Sequence, residues 1–263
     1  SSSAAVADGI VYIGNMDGNL YAFREETGDL LWNFTAQAPE YRNNEIFSSP
    51  AVAGGAVFIP DLNGKVYALD ATSGDLLWTS TVGTRATASS PSIRDNILYI
   101  GGDHGSLWAL DATTGAALWN FTPGGRPITS SPAIADGIVY YGSYDNNTYA
   151  LNATTGALLW NFTTGGEISS SPAVANGVVY IGSADTSIYA LDASTGALLW
   201  NFTAGGYLGS SPAVAHGIVY FGSSDGRVYA IGSIPIDPPL ADVSANVTSG
   251  DAPLDVLFTD THV

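Results

Sequence analysis

The chain has no cysteine, and only 12% of its residues are charged. Without cysteine there are no disulfides, thiolate metal sites, cysteine nucleophiles or iron–sulfur clusters. Bases are scarce: 7 Lys and Arg stand against 24 Asp and Glu, a formal charge of −17, and Lys65 is the only lysine. Such a surface repels polyphosphate and anionic lipid, which argues against nucleic acid and membrane surfaces as partners. No apolar run reaches the ~18 residues that span a bilayer. Ser1-Ser2-Ser3 offers neither the basic nor the apolar stretch of a signal peptide. Apolar residues make up 46% of the 263, enough for a large folded core.

What the chain has is a repeat. Ser-Ser-Pro begins at Ser48, Ser89, Ser130, Ser170 and Ser210, at spacings of 41, 41, 40 and 40, with a degenerate copy at Ser2-Ser3-Ala4. Trp32, Trp78, Trp119, Trp160 and Trp200 keep the same beat, so six starts meet five tryptophan endings. The unit from Ser170 to Gly206 parses into strands Pro172–Ala175, Val178–Gly182, Ile188–Leu191 and Ala197–Phe202, with Asn176-Gly177 as a hairpin turn. No stretch has a capped 3.6-residue period, so essentially no helix is expected. Four strands every ~40 residues predict an all-β fold: a six-bladed β-propeller of four-stranded antiparallel blades over residues 1–232. Small Ser, Pro and Ala in each first strand suit the crowded axis, and Tyr and Trp in later strands suit the splayed rim.

The run from Ala109 to Trp119, repeated at Ala22–Trp32, Ala68–Trp78, Ala150–Trp160 and Ala190–Trp200, resembles the tryptophan-docking motif of PQQ-like repeat propellers. That resemblance implies that Trp32, Trp78, Trp119, Trp160 and Trp200 pack between neighbouring blades. Quinoprotein dehydrogenases of this kind carry eight blades, calcium and a catalytic aspartate. This chain has six repeats, and no blade gathers an unusual cluster of Asp, Glu, Asn and Arg. The expectation is therefore a protein that is not an enzyme, with no catalytic residue and no cofactor. Calcium is the one alternative, with Asp61, Asn63 and Asp103 as candidate oxygen ligands, although no complete calcium loop appears. Gly222-Ser223-Ser224-Asp225-Gly226 matches G-x-S-x-G but is followed by a strand, expected at Arg227–Ile231, where a nucleophile elbow needs a helix. His104 and His216 fall in turn slots and His262 in the tail.

A propeller gathers its inter-blade loops and its second-to-third-strand turns on one face. That face would hold Tyr41, Arg42, Glu45, Arg85, His104, Arg126, Glu167 and Tyr207, together with the turn aspartates. The first inter-blade loop, Gln37 to Glu45, is longer than the rest by about six residues. Sequons stand at Asn33, Asn120, Asn146, Asn152, Asn161, Asn201 and Asn246, four of them in one repeat position, Trp-Asn-Phe-Thr. They fit a glycosylated surface protein, or simply a solvated edge.

After Ile231 the pattern stops. Residues 233–240 carry three prolines and read as a stiff linker. Residues 241–263 resemble the opening of a PKD domain, an immunoglobulin-like module of secreted and surface proteins: Ser249-Gly250-Asp251-Ala252-Pro253-Leu254 leads into Val256, Phe258 and Asp260. PQQ-like repeats, PKD and dense sequons together resemble archaeal cell-surface proteins. The sixth unit lacks its tryptophan strand. An upstream strand, the tail through Asp242–Val247 or Asp255–Thr259, or a neighbouring subunit could cover that edge. The leading expectation is a secreted or cell-surface scaffold or adhesion module that binds protein or glycan and self-associates by strand donation. The alternatives are a quinone- or metal-dependent oxidoreductase using the central channel, and an envelope assembly factor like the bacterial outer-membrane propeller lipoproteins.

Overall fold

The computed structural model describes residues 2–36, 45–83 and 89–232, with the backbone of 243–245 and 258–260; Asp103 is described by its backbone alone. Six antiparallel meanders follow one another. Blade 1 is Ala5–Ala7, Ile10–Gly14, Asn19–Arg24 and Leu30–Thr35; blade 2 is Ala51–Ala53, Ala56–Pro60, Lys65–Asp70 and Leu76–Thr81. Blade 3 is Ser92–Arg94, Ile97–Gly101, Leu107–Asp111 and Ala117–Phe121; blade 4 is Ala133–Ala135, Ile138–Gly142, Asn147–Asn152 and Leu158–Thr163. Blade 5 is Ala173–Ala175, Val178–Gly182, Ser187–Asp192 and Leu198–Thr203. Blade 6 has three strands, Ala213–Ala215, Ile218–Gly222 and Val228–Gly232. The all-β expectation holds, with a three-residue 3-10 turn at Asp103–Gly105 as the one exception among the described residues. Strand limits differ from the sequence expectation by a residue or two. The last strand runs to Gly232 because all five residues of Ile218–Gly222 find partners in register.

The turns explain the meander. Each first hairpin turns on two residues of positive φ: Asp8-Gly9, Gly54-Gly55, Asp95-Asn96, Asp136-Gly137, Asn176-Gly177 and His216-Gly217. That pair is the turn whose twist matches a right-handed hairpin. His216 is thus a turn residue with φ 51°.

In blades 1–5 the third and fourth strands share one irregularity, a register shift just after the alanine that faces tryptophan: Ala22↔Trp32, Ala68↔Trp78, Ala109↔Trp119, Ala150↔Trp160 and Ala190↔Trp200. The small partner leaves room for the indole, which turns toward the next blade. Trp32, Trp78, Trp119 and Trp160 donate Nε1–H to the carbonyls of Ala71, Ala112, Ala153 and Ala193 one blade on, at 2.9–3.1 Å. Tyr12, Tyr99 and Tyr140 donate their hydroxyls to three of those same oxygens at 3.0 Å, using both lone pairs. Phe58 takes the tyrosine slot of blade 2 and packs on Trp78. Each indole also lies on a glycine of the next blade. A Cβ on Gly74, Gly115, Gly156 or Gly196 would come within 2.6–2.7 Å of Trp32, Trp78, Trp119 or Trp160.

The core is therefore a set of slabs between blades. Tyr12, Leu20, Ala22 and Trp32 pack on Val57, Ile59, Tyr67 and Leu69. Equivalent slabs join blades 2 and 3, 3 and 4, 4 and 5, and 5 and 6. At the axis the second serine of each repeat links neighbours: the backbone N–H groups of Ser3, Ser49, Ser90, Ser131 and Ser171 donate to the Oγ of Ser49, Ser90, Ser131, Ser171 and Ser211 at 2.8–3.1 Å.

Among the described residues the sixth sheet has three strands, none of them from the tail. Val243–Ala245 pairs antiparallel with Phe258–Asp260, one tail strand against the other. Of the three alternatives for covering blade 6, the tail segments are thus seen paired with each other in their described residues.

Candidate functional site

The second-to-third-strand turns form one end of the molecule, and hydrogen bonds lock the inter-blade loops between them. The loop after blade 4 shows the pattern. Thr164 and Ile168 donate N–H to the carbonyls of Asn146 and Ser143 behind them, and Ala184 ahead donates to Glu167 O. One blade on, Ala204 and Leu208 donate to Thr186 and Ser183, and Ser224 donates to Tyr207 O. In blade 4, Tyr144 donates to Pro127 O. The slot shared by Pro127, Glu167 and Tyr207 thus serves the fold through its carbonyl whatever side chain it carries. Its side chain is left to vary, and Glu167 and Tyr207 are exposed. The Tyr207 hydroxyl reaches Ser169 Oγ at 3.1 Å.

Of the residues expected on this face, Arg126, Glu167 and Tyr207 lie on successive inter-blade loops. Glu45 lies beside Ile46, whose N–H donates to Asn15 O. His104 is exposed at the centre of the 3-10 turn with φ 60°. Tyr41, Arg42 and Arg85 lie outside the described residues, as do Asn246 and His262.

The turn carboxylates are occupied by the fold itself. Asp17, Asp145, Asp185 and Asp225 each accept a backbone N–H two residues on, at 2.9–3.0 Å, and a tyrosine hydroxyl four residues on, at 2.6–2.7 Å. Asp185 and Asp225 also accept the N–H of Gly165 and Gly205 from the loop. The Tyr21 hydroxyl holds the Asp17 carboxyl below its ordinary range, and Tyr229 does the same for Asp225. Burial, reinforced by Asp185, pushes the Tyr189 hydroxyl up to about 12. The backbone role of these aspartates follows from turn chemistry. The tyrosine partner was missed, although its signal, Asp-x-x-x-Tyr in four repeats, stands in the sequence. Blade 3 changes both members together, to His104 and Trp108, and Trp108 Nε1 is buried with no partner.

Of the calcium candidates, Asp61 is engaged by its own turn, and the side chain of Asp103 lies outside the described residues. Asp61 is buried and accepts N–H from Asn63 and Lys65 at 2.8 and 2.9 Å and the Tyr67 hydroxyl at 3.1 Å. Asn63 Nδ2 is buried without a partner. Among the described residues no three His, Asp or Glu side chains converge as metal ligands. Gly222–Gly226 is the hairpin turn between two strands.

Asn33, Asn120, Asn161 and Asn201 are exposed on the outermost strands, and Asn146, in a turn, and Asn152, at the end of its strand, are half-buried. Asn152 Oδ1 accepts Thr154 N–H, Thr155 N–H and the Thr155 hydroxyl. The sequence reading also overlooked an apolar rim. Leucines opening the outermost strands are exposed, among them Leu30, Leu77, Leu118, Leu158 and Leu198. At the opposite end from the loop face, a cleft of about 660 Å³ opens between blades 2 and 3, over Phe58 and Leu77. Its Arg94 and Asp95 are 3.9 Å apart and largely exposed, so water screens the pair. No helix among the described residues is long and apolar enough to cross a membrane.

The chain matches the family profile described as outer membrane protein assembly factor BamB over residues 1–64, 62–170 and 103–233. No curated protein matches it. Among solved structures it is similar to BamB from Moraxella catarrhalis, at 22% identity and a TM-score of 0.75, over 94% of this chain and 79% of that one. It is also similar to the computationally designed Ika8 protein, at 22% identity and a TM-score of 0.76, over 87% of this chain and 70% of that one. With the tryptophan-docked blades and a profile match spanning nearly all of them, the chain belongs to the PQQ-like repeat family described as outer membrane protein assembly factor BamB.

Proposed function

We infer that this chain is a non-catalytic, protein-binding propeller of the cell envelope that serves the assembly of other envelope proteins. The family match across the blades carries the reading. It favours the assembly role over the adhesion role that led the sequence expectations. The loop face supports it physically. Its carboxylates are engaged in hydrogen bonds that hold loop to turn, while Arg126, Glu167 and Tyr207 present exposed side chains. A rigid face with variable tips suits recognition of a protein surface. The exposed leucine rim offers apolar area for the same purpose.

A surface location with glycans is the second reading, and the exposure of Asn33, Asn120, Asn161 and Asn201 favours it. The PKD-like opening at 241–263 belongs with that reading. Mass spectrometry of protein from its source separates the two: hexose or N-acetylhexosamine mass on these asparagines supports the surface module. The assembly role is tested by a photo-crosslinking residue at Tyr207, with Thr113 on the opposite end as control. Crosslinks from Tyr207 to outer-membrane or other envelope proteins in transit support it. Equal labelling from both positions, or quinone-dependent alcohol oxidation by the purified protein, would overturn it.

A further inference from the structure

The interface between blades 2 and 3 departs from the repeat where the cleft opens. Two residues of each second strand share the face that packs on the following blade. The first is Ile10, Ile97, Ile138, Val178 or Ile218 in the other blades, and Ala56 in blade 2. The second is Tyr12, Tyr99, Tyr140, Tyr180 or Tyr220 in the other blades, and Phe58 in blade 2. The first hairpin turn opens on Asp8, Asp95, Asp136, Asn176 or His216 elsewhere, and on Gly54 in blade 2. Side chains are thus shortened together on one face of one blade, and the cleft of about 660 Å³ lies over Gly54, Ala56 and Phe58. That is the size of a small-molecule site, typically ~300–1,000 Å³.

The same interface leaves a hydrogen-bond acceptor open. Ala71, Ala153 and Ala193 each take an indole N–H and a tyrosine hydroxyl on one carbonyl oxygen. Ala112 O takes the Trp78 indole N–H at 2.9 Å, and Phe58 has no hydroxyl to give it. A carbonyl oxygen has two lone pairs, so one of them is free among the described residues. Ala112 lines the cleft.

The cleft is also charged in a way the repeat is not. The last residue of the first strand is Ala7, Ala53, Ala135, Ala175 or Ala215 in the other blades, and Arg94 in blade 3. Arg94 and Asp95 both line the cleft. They lie 3.9 Å apart and exposed, a loose pair that leaves each able to take a further partner.

We propose that this cleft binds a free α-amino acid with a branched aliphatic side chain, such as leucine or isoleucine. The side chain fills the space that isoleucine and tyrosine close in the other blades, over Ala56 and Phe58 and against Leu77 and Ile93. The ammonium donates to Ala112 O in place of the missing hydroxyl, with Asp95 adding charge complementarity. The carboxylate pairs with Arg94. One cation and one anion match a zwitterion, and a chain of formal charge −17 disfavours a ligand that is only an anion. The site lies at the end opposite the loop face, so it stands apart from the assembly reading.

The test is a titration of the full chain with leucine and isoleucine, read by the NMR resonances of the tryptophan indole N–H groups. Trp78 shares its acceptor with the ligand, so its resonance should shift saturably. Trp160 should stay in place, because Ala193 O is already shared with Tyr140. Ala56→Ile with Phe58→Tyr fills the cleft with residues the other blades carry. That variant should melt no lower than the parent and should lose the shift. No saturable shift with either amino acid overturns the proposal, as does a shift that persists in the filled variant or that moves Trp160 equally. N-acetyl-leucine binding as tightly as leucine would mean a peptide C-terminus in place of a free amino acid, and would overturn it too. If the filled variant fails to fold, Arg94→Ala decides, since it is an exposed change to the residue of the other blades. It should weaken leucine about tenfold or more while binding leucine amide, which has no carboxylate, as the parent does. Unchanged affinity for leucine would overturn the assignment.

Discussion

Blades 2 to 5 and the two terminal faces share most of their column residues, although blade 6 has no docking tryptophan among the described residues, and they differ in what lies opposite them. Val66 and Val228 occupy one slot, as do Tyr140 and Tyr220, and Gly156 and Gly28. In the interior each is closed over: the valine by the next sheet, the tyrosine hydroxyl by Ala193 O, the glycine by the face of Trp119. At the ends each stands open. A residue type repeated in register therefore does not fix its own contribution to stability. The neighbour fixes it, and in a ring the neighbour depends on the angle between blades. That is the logic of repeat proteins, whose stability is approximately a sum of units and interfaces.

The comparison breaks most sharply with charge. Val66→Asp would bury a carboxylate without a partner and is expected to cost more than about 4 kcal/mol, enough to unfold much of the population. Val228→Asp should stay within about 0.5 kcal/mol of the parent. Urea denaturation of the two variants reads the difference, and equal losses would mean that blade 6 is covered in solution. A smaller contrast comes from the indole seats. Gly28→Ala should cost only the left-handed backbone penalty of about 1–2 kcal/mol. Gly156→Ala adds displacement of Trp119 and should exceed that penalty, with Trp119 fluorescence shifting as the ring leaves its seat. Smaller again is the hydroxyl pair. Tyr140→Phe removes a buried hydrogen bond and should cost about 1 kcal/mol. Tyr220→Phe should be nearly neutral, because its hydroxyl donates to no described residue.

These contrasts also mark where the sequence was legible. The hairpin turns and the tryptophan beat were readable because each repeat is an independent sample of the same local rule. Asp-Gly or Asn-Gly needs positive φ wherever it occurs, and Ala opposite Trp recurs five times. The exposure of the two terminal faces among the described residues was not readable. Val228 and Tyr220 look like every other member of their columns, and the period gives residues per blade but not degrees per blade. The loop face was located by topology, yet the role of its aspartates was half seen. Asp185 was visible as a turn residue, while its bond to Tyr189 needed the hairpin's register to bring residues four apart together. The engagement of Asp61 was hidden for the same reason. Its two oxygens are taken by partners that only the folded turn supplies.

The smallest effect lies in the third-to-fourth-strand turns, where interior and terminal blades also differ. Asp70, Asp111 and Asp192 accept backbone N–H groups from their own turns. The slot holds Arg24 in blade 1 and Asn152 in blade 4. Hydrogen bonds from Ser194 and Thr195 hold the Asp192 carboxyl down at about 2. Those from the Ser73 and Thr72 backbone lower Asp70, and those from the Thr114 side chain and backbone lower Asp111. An unfolded aspartate titrates near 3.9. Between about 4 and about 2 the unfolded chain therefore takes up protons that the folded turn refuses. Stability from these turns is full above that window and falls as pH falls through it. Asn152 makes the same bonds without a titrating group. Asp192→Asn should thus melt close to the parent at pH 7 and lose less than the parent on going to pH 3. A variant that loses as much as the parent at pH 3 would mean that acid acts elsewhere. The first alternative to examine would then be the turn aspartates of the loop face, where Tyr21 and Tyr229 hold Asp17 and Asp225 below their ordinary range.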